Sequence, residues 1–233
     1  MKNNPLPGPS DLQTFRPQTL IPSVLRILNL LVSLYLFCLP SAGQEKVIIS
    51  NERSTGSLVL ASEGRCAPLV VSPDDWPGVR RAMTDLQNDL GMVSGSAPEV
   101  ITASKLPRYG FVVIAGTIGK STLVDRLAEK GKIDLTAVEG KWESFIIQTV
   151  EKPFPGVKMA LVIAGSDKRG TIYGIYEISG QAGVSPWYWW ADVPVRKSSE
   201  LYVNPGRWQW GEPSVKYRGI FLNDEYPALT RWV

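Results

Sequence analysis

The sequence predicts an α/β fold, a mixed sheet with helices packed on it, followed by the start of a second domain. Three observations carry this. Short apolar runs rich in Val and Ile alternate with helical-period segments between residues 69 and 182, as strands feeding crossover helices do. The run Phe111–Ala115 is apolar at every position, as a strand covered on both faces must be. Gly and Pro punctuate the runs, and the helical segments close on Gly.

The elements follow in order. Residues 1–26 are polar and Pro-rich, with Lys2, Arg16 and Arg26 as cations. Ile27–Leu39 is almost wholly apolar and exits through Pro40-Ser41-Ala42-Gly43. A basic start, a short apolar core and small residues at the exit read as a secretory signal cleaved after Gly43. The protein is therefore expected outside the cytoplasm, secreted or periplasmic. The apolar run is shorter than the roughly 20 residues that span a bilayer. An uncleaved N-terminal anchor is the alternative. Phe37 precedes Cys38 where a lipobox needs a small residue.

Val47–Ser50, Ser57–Ala61 and Leu69–Val71 read as short strands. Ser72-Pro73-Asp74-Asp75 reads as a turn and helix cap. A helix over Pro77–Leu90 follows, with Val79, Met83, Leu86 and Leu90 on one face and Gly91 as its stop. Val100–Thr102 and Phe111–Ala115 are strands, and Ser121–Lys130 is a helix closed by Gly131. Phe145–Val150 and Met159–Ala164 are strands joined by a turn at Pro153-Phe154-Pro155-Gly156. A last helix runs from Thr171 to Gln181 and ends at Gly183. Ser185–Pro213 reads as an irregular connection held by aromatic packing, and Val215–Leu222 as a new strand. The expected domains are 1–43 (signal), 44–213 (α/β domain with its aromatic connection) and 214–233 (the first strand of a second domain).

Composition narrows the chemistry. There is no His in the chain, which excludes a Ser-His-Asp triad, a Cys-His dyad and His-ligated zinc within it. Cys66 alone survives signal removal, so no intrachain disulfide forms. The net charge of +3 is spread out, and no basic stripe supports nucleic-acid binding. Carboxylates, Lys, Tyr and backbone groups remain. No metal or cofactor is expected.

Four motifs stand out. Gly116-Thr117-Ile118-Gly119-Lys120-Ser121 imitates a phosphate loop. Two residues rather than four separate its glycine from the Gly-Lys pair, too few to wrap a nucleotide phosphate. It reads as a tight strand-to-helix turn, and no nucleotide is expected. Gly165-Ser166-Asp167-Lys168-Arg169-Gly170 has the same layout. Ser166 or Asp167 can cap the helix, while Lys168 and Arg169 offer cations to an acidic ligand. Pro186-Trp187-Tyr188-Trp189-Trp190 is the densest aromatic run. Its rings can pack a seam between domains or stack on sugar CH faces, Trp190 being the candidate sugar contact. Phe221-Leu222-Asn223-Asp224-Glu225 ends a strand in two adjacent carboxylates. Neighbours on a strand point to opposite sides, so Asp224 and Glu225 are not both members of one catalytic pair.

The stretch Gly165–Pro194 followed by Pro213–Trp232, with GTIGKSTLVDRLAEKGKID upstream, resembles the N-terminal part of glycoside hydrolase family 115, the xylan α-1,2-glucuronidases. The resemblance runs from about Gly110 to Val233 and is looser before it. It implies a large enzyme in which such an α/β domain precedes a (β/α)₈ catalytic barrel. The implied reaction removes glucuronic acid, or its 4-O-methyl ether, from the O2 of xylose in glucuronoxylan or aldouronic acids. The implied mechanism is inverting and metal-free, with two carboxyls on opposite faces of the bond.

The resemblance places Asn223, Asp224 and Glu225 at or near the sugar, with Lys168, Arg169 and Trp190 as substrate contacts. Either Asp224 or Glu225 is expected to hydrogen-bond the glycone or water. The other pocket carboxylates are expected from later barrel strands. The chain is thus expected to be an inactive fragment by itself, and a homodimer is compatible with the full-length enzyme. The Trp run keeps another reading open, a freestanding carbohydrate-binding or interaction module.

Overall fold

The computed structural model describes residues 46–221. The expected signal, residues 1–43, lies outside them.

The strands sort into two sheets. β1 (Ile49–Ser50), β2 (Leu58–Ser62), β3 (Arg65–Cys66) and β9 (Leu201–Val203) form an antiparallel sheet in the order β1-β9-β2-β3. β4 (Leu69–Val71), β5 (Val100–Thr102), β6 (Tyr109–Thr117), β7 (Phe145–Glu151), β8 (Val157–Gly165) and β10 (Arg207–Trp210) form the main sheet, ordered β10-β7-β8-β6-β4-β5. β5, β4, β6 and β8 run parallel. At one side β7 pairs antiparallel with β8, and β10 antiparallel with β7. The mixed α/β character expected from the sequence holds. The separate small sheet was not foreseen, because its strands are two to five residues long.

Helices cover both faces of the main sheet. α1 (Pro77–Ser94) and α3 (Lys168–Ala182) share one core with Leu69, Val71, Val113, Leu161 and Ile163. α2 (Thr122–Glu129) buries Leu123, Val124 and Leu127 on the other side, with Val70, Val112, Ile114 and Val162. Successive residues of β4, β6 and β8 enter opposite cores, as a period of two dictates. This is why their sequences read as unbroken apolar runs. None of the described helices is long and apolar enough to cross a membrane.

Three expectations need correction. Gly91 does not stop α1, which continues to Ser94 and closes on Gly95 at φ 81. The Gly95 amide donates to the Gly91 carbonyl at 3.0 Å. Gly91 is small because Ala97 folds back on it, its Cβ 3.2 Å from where a Gly91 side chain would begin. Residues 185–213 are not irregular throughout. They hold α4 (Tyr188–Ala191), β9 and β10. β9 buries Leu201 and Val203, and β10 lays Trp208 and Trp210 against the core. Finally, residues 215–221 pair with no strand. A strand exists through its neighbours' hydrogen bonds, and among the described residues these have none. Phe221 is 90% exposed.

Two glycines of α3 give a paired test. A Cβ on Gly170 would sit 2.3 Å from the Ser144 carbonyl oxygen, whereas one on Gly180 would meet nothing within 4 Å. Gly170→Ala should destabilise the fold by about 1–3 kcal/mol through overpacking. Gly180→Ala should stabilise it by up to about 1 kcal/mol through helix propensity. Urea unfolding of both variants checks the opposite signs.

Candidate functional site

β4, β6 and β8 end together at one edge of the main sheet, and the turns that leave them form the site. In open α/β sheets ligands bind beyond the carboxyl ends of the strands. Two of these turns are built alike. Gly116 lets Ser121 approach so closely that a Cβ would lie 2.2 Å from its Oγ, and at Gly165 a Cβ would lie 2.1 Å from the Thr171 amide. Each glycine thus seats the following helix directly on its strand. Ser121 caps α2 by accepting from the Val124 amide at 3.4 Å.

The first turn holds no free amides for a phosphate. Thr117 N donates to Asp75 Oδ2 at 2.8 Å and Gly119 N to Asp125 Oδ1 at 2.8 Å. The Ile118 amide bonds to the Gly165 carbonyl, and those of Lys120 and Ser121 to the Thr117 carbonyl. Side-chain carboxylates stand where a phosphate would have to accept. Asp75 therefore does not cap α1, whose N-cap Trp76 makes no side-chain cap bond. Its carboxylate turns inward instead.

Asp75 is 2% exposed. It opens a chain of buried oxygens. Thr117 Oγ1 lies 2.9 Å from Asp75 Oδ1 and 2.9 Å from Thr171 Oγ1, which lies 2.9 Å from the Asp167 carbonyl. Thr117 is the donor to Asp75, and Thr171 the donor to the Asp167 carbonyl. Burial pushes the Asp75 carboxyl up from its ordinary value, opposed by the Thr117 and Trp76 amides, the Thr117 hydroxyl and the Arg80 charge.

The second turn carries Asp167, Lys168 and Arg169. Asp167, not Ser166, caps α3, accepting from Gly170 N at 2.7 Å through Oδ1. Its Oδ2 accepts from Glu143 N at 2.9 Å. Lys168 and Asp167 line a crevice of about 350 Å³ with Trp76 and Lys120. Lys120 Nζ stands 4.6 Å from the centre of the Trp76 ring. Arg169 turns away from the crevice and pairs with Glu143 at 2.9 Å, while donating to Tyr173 Oη at 2.9 Å. Its side chain stays 54% exposed.

Glu143 was not singled out in the sequence. Nothing distinguishes it there from a solvated loop carboxylate. In the fold it is 5% exposed, has φ 51, and pairs with both Arg169 and Arg218. Trp187, Trp189 and Trp190 are exposed, Trp189 by 75%, and Tyr188 meets Trp189 edge-on at 5.0 Å. Trp208 and Trp210 instead pack on the core, Trp210 stacking on Phe145 at 4.6 Å. Asn223, Asp224 and Glu225 lie outside the described residues.

The carboxylates of this edge hold its turns together. Asp75, Asp167 and Glu143 are each engaged by amides, hydroxyls or arginines, so none stands ready as a general acid or base. Among the described residues no cluster of three His, Cys, Asp or Glu side chains could hold a metal ion. A larger cavity, about 500 Å³, lies at the opposite end of β6 beside Tyr109 and Arg65. Two exposed side chains, Arg65 and Glu63, pair at its wall.

Comparison with known proteins places the chain. A family model described as glycosyl hydrolase family 115 matches residues 210–233. A solved family GH115 4-O-methyl-α-glucuronidase, with specificity for decorated arabinogalactans, is 37% identical to the chain. It aligns over 75% of this chain with a TM-score of 0.59. The chain spans only 21% of that relative's length. A second solved structure, CpGH84D, is 8% identical over 67% of this chain and 22% of its own, with a TM-score of 0.36. No curated protein matches the chain.

The Asp75 geometry has a pH signature. Its native pKa is raised, so the folded state binds the proton more tightly than the unfolded chain. The resulting stability is fully present below the ordinary Asp value and is lost as pH rises through the raised native one. Asp75→Asn should flatten this dependence of the urea midpoint. It should also cost about 1–3 kcal/mol, because one of the two amides bonded to Asp75 loses its acceptor. An unchanged pH slope in the variant would refute the assignment.

Proposed function

Since the chain belongs to glycoside hydrolase family 115, we propose that it is the N-terminal part of a secreted α-glucuronidase. The proposed enzyme removes glucuronic acid, or its 4-O-methyl ether, from polysaccharide side chains. The observation that carries this reading is the 37% identity to a solved 4-O-methyl-α-glucuronidase over 75% of this chain. Glucuronoxylan and its aldouronic acids are the proposed substrates. The relative's stated preference makes decorated arabinogalactan the first competitor.

In the proposed mechanism, one carboxylic acid protonates the leaving oxygen. A carboxylate on the other face activates water, and the anomeric configuration inverts. Either Asp224 or Glu225 contacts the glycone or the water, and Asn223 hydrogen-bonds the sugar. The remaining carboxylate comes from later strands of a catalytic barrel. Lys168, Arg169 and Trp190 form the accessory wall of the pocket. Arg169 bonds Glu143 through Nε and Tyr173 through Nη2, which leaves Nη1 of this half-exposed side chain to donate to a uronate carboxylate.

The exposed indoles of Trp187 and Trp189 favour one further reading, a carbohydrate-binding surface in this domain itself. Titration calorimetry of the chain with aldouronic acids separates the two. Binding heat at millimolar ligand supports a sugar site, and its absence assigns the rings to packing against another domain.

The test of the enzyme reading uses the 233-residue chain and a protein extended to the full length of the family. The extended protein should release uronic acid from glucuronoxylan as the inverted anomer, and the short chain should release none. In the extended protein, Asp224→Asn or Glu225→Gln should lower kcat by at least about 100-fold, the usual weight of an acid–base group. If both variants retain full activity, Asp224 and Glu225 lose their place in the site. Release from arabinogalactan alone would replace the proposed polymer.

A further inference from the structure

The loop Trp142–Phe145 does more than join α2 to β7. The chain leaving β10 touches it three times in succession. Trp210 stacks on Phe145 with the ring planes 13° apart. Glu212 Oε1 accepts from the Trp142 amide at 3.1 Å. Arg218 pairs with Glu143 and donates to Tyr173 Oη at 3.3 Å. The Arg218 guanidinium lies 5.8 Å from the Trp142 ring centre and 5.9 Å from that of Tyr173. Arg218 also donates to its own chain at the Val215 carbonyl.

Without these contacts, residues 214–221 would have no reason to hold a course. They form no strand or helix, and apart from Arg218 their side chains face solvent. Tyr217 is 87% exposed.

Glu143 is prepared for this role from the other side. Its amide is held by Asp167, and the next residue is held twice. Ser144 N donates to Ser166 Oγ at 3.0 Å, and the Ser144 carbonyl accepts from Ser166 N at 2.9 Å. The backbone at Glu143 sits at φ 51, a left-handed conformation that costs a non-glycine residue energy. A strained residue that places a nearly buried carboxylate between two arginines invites a functional explanation. Loop closure alone would be served better by glycine.

We propose that Glu143 is an anchor. It fixes the direction in which the chain leaves the α/β domain by clamping Arg218 against Tyr173 and Trp142. Arg169 holds the second oxygen of the carboxylate, so the charge is compensated whether or not Arg218 is docked. That leaves Arg218 free to dock and undock without exposing an unpaired buried charge. The proposal stands independently of the enzymatic reading, because it concerns only described residues and a contact within this chain.

Limited proteolysis of the whole chain with an endoproteinase that cuts after Lys tests it. Lys216 reports the tail, and Lys132, in the loop after α2, reports the domain. Three variants are compared: Glu143→Gln, Glu143→Gly and Arg218→Met. None changes a cleavage site. Glu143→Gly relieves the left-handed backbone while removing the anchor, so a merely structural role predicts no release of the tail. Cleavage after Lys216 should rise about tenfold in all three, because proteolysis follows the open population. Cleavage after Lys132 should stay unchanged. The Glu143→Gln/Arg218→Met double variant should rise no further than either single one, since both remove one interaction. Unchanged Lys216 cleavage in Arg218→Met overturns the proposal, and so does a doubly additive rise. Arg218 decides even if a Glu143 variant fails to fold, because its side chain lies outside the core.

Discussion

One carboxylate ties together the edge on which everything else depends. Asp167 lies two residues past the end of β8, caps α3 with one oxygen and holds the Glu143 amide with the other. Through the first bond it starts the helix that covers one face of the sheet. Through the second it pins the loop before β7, the strand that turns the sheet from parallel to antiparallel. Ser144 and Ser166 repeat the tie one residue away on each side. Gly170 makes it sterically possible, since a side chain there would meet the Ser144 carbonyl. A charged acceptor serves these amides better than a neutral one would. Burial of the surrounding backbone makes each bond expensive to lose.

The same economy of amides explains why a loop that resembles a phosphate cradle is not one. The donors of the Gly116–Ser121 turn go to Asp75, Asp125 and neighbouring carbonyls. Where a nucleotide-binding turn points its amides outward, this one spends them on holding strand, turn and helix in one piece. The edge that results is polar and internally bonded, and its cations Lys120, Lys168 and Arg169 remain partly in solvent. That suits a wall of a sugar site, which has to present cations and flat rings in fixed places. It does not suit a catalytic centre, whose acid and base must be free to exchange protons.

The long elements were legible because each obeys one period over many residues. β6 and β8 alternate between two cores, and α1 places Val79, Met83, Leu86 and Leu90 on one face. The short elements escaped. β9 and β10 are three and four residues long, and their partners lie far back in the chain, at β1, β2 and β7. A pattern that short carries no period, and its stability comes from a neighbour the local sequence does not contain. Gly91 misled for a related reason. A glycine that admits a neighbouring chain and one that ends a helix are written alike.

The amino-acid sequence by itself determined the α/β class, the order of its main strands and helices, the lack of histidine in these 233 residues and the membership of a glycoside hydrolase family. Each of these rests on local periodicity, composition or an ordered run of motifs. Only the tertiary structure decided which charges are spent and which are free. Asp167 and Arg169 sit three and one residues from Gly170, yet the fate of both is set by Glu143, more than twenty residues earlier. The anchor that Glu143 makes with Arg218 spans a still longer separation. Electrostatic partnership acts through distance in space and through burial, and neither quantity is written in the spacing of residues along a chain.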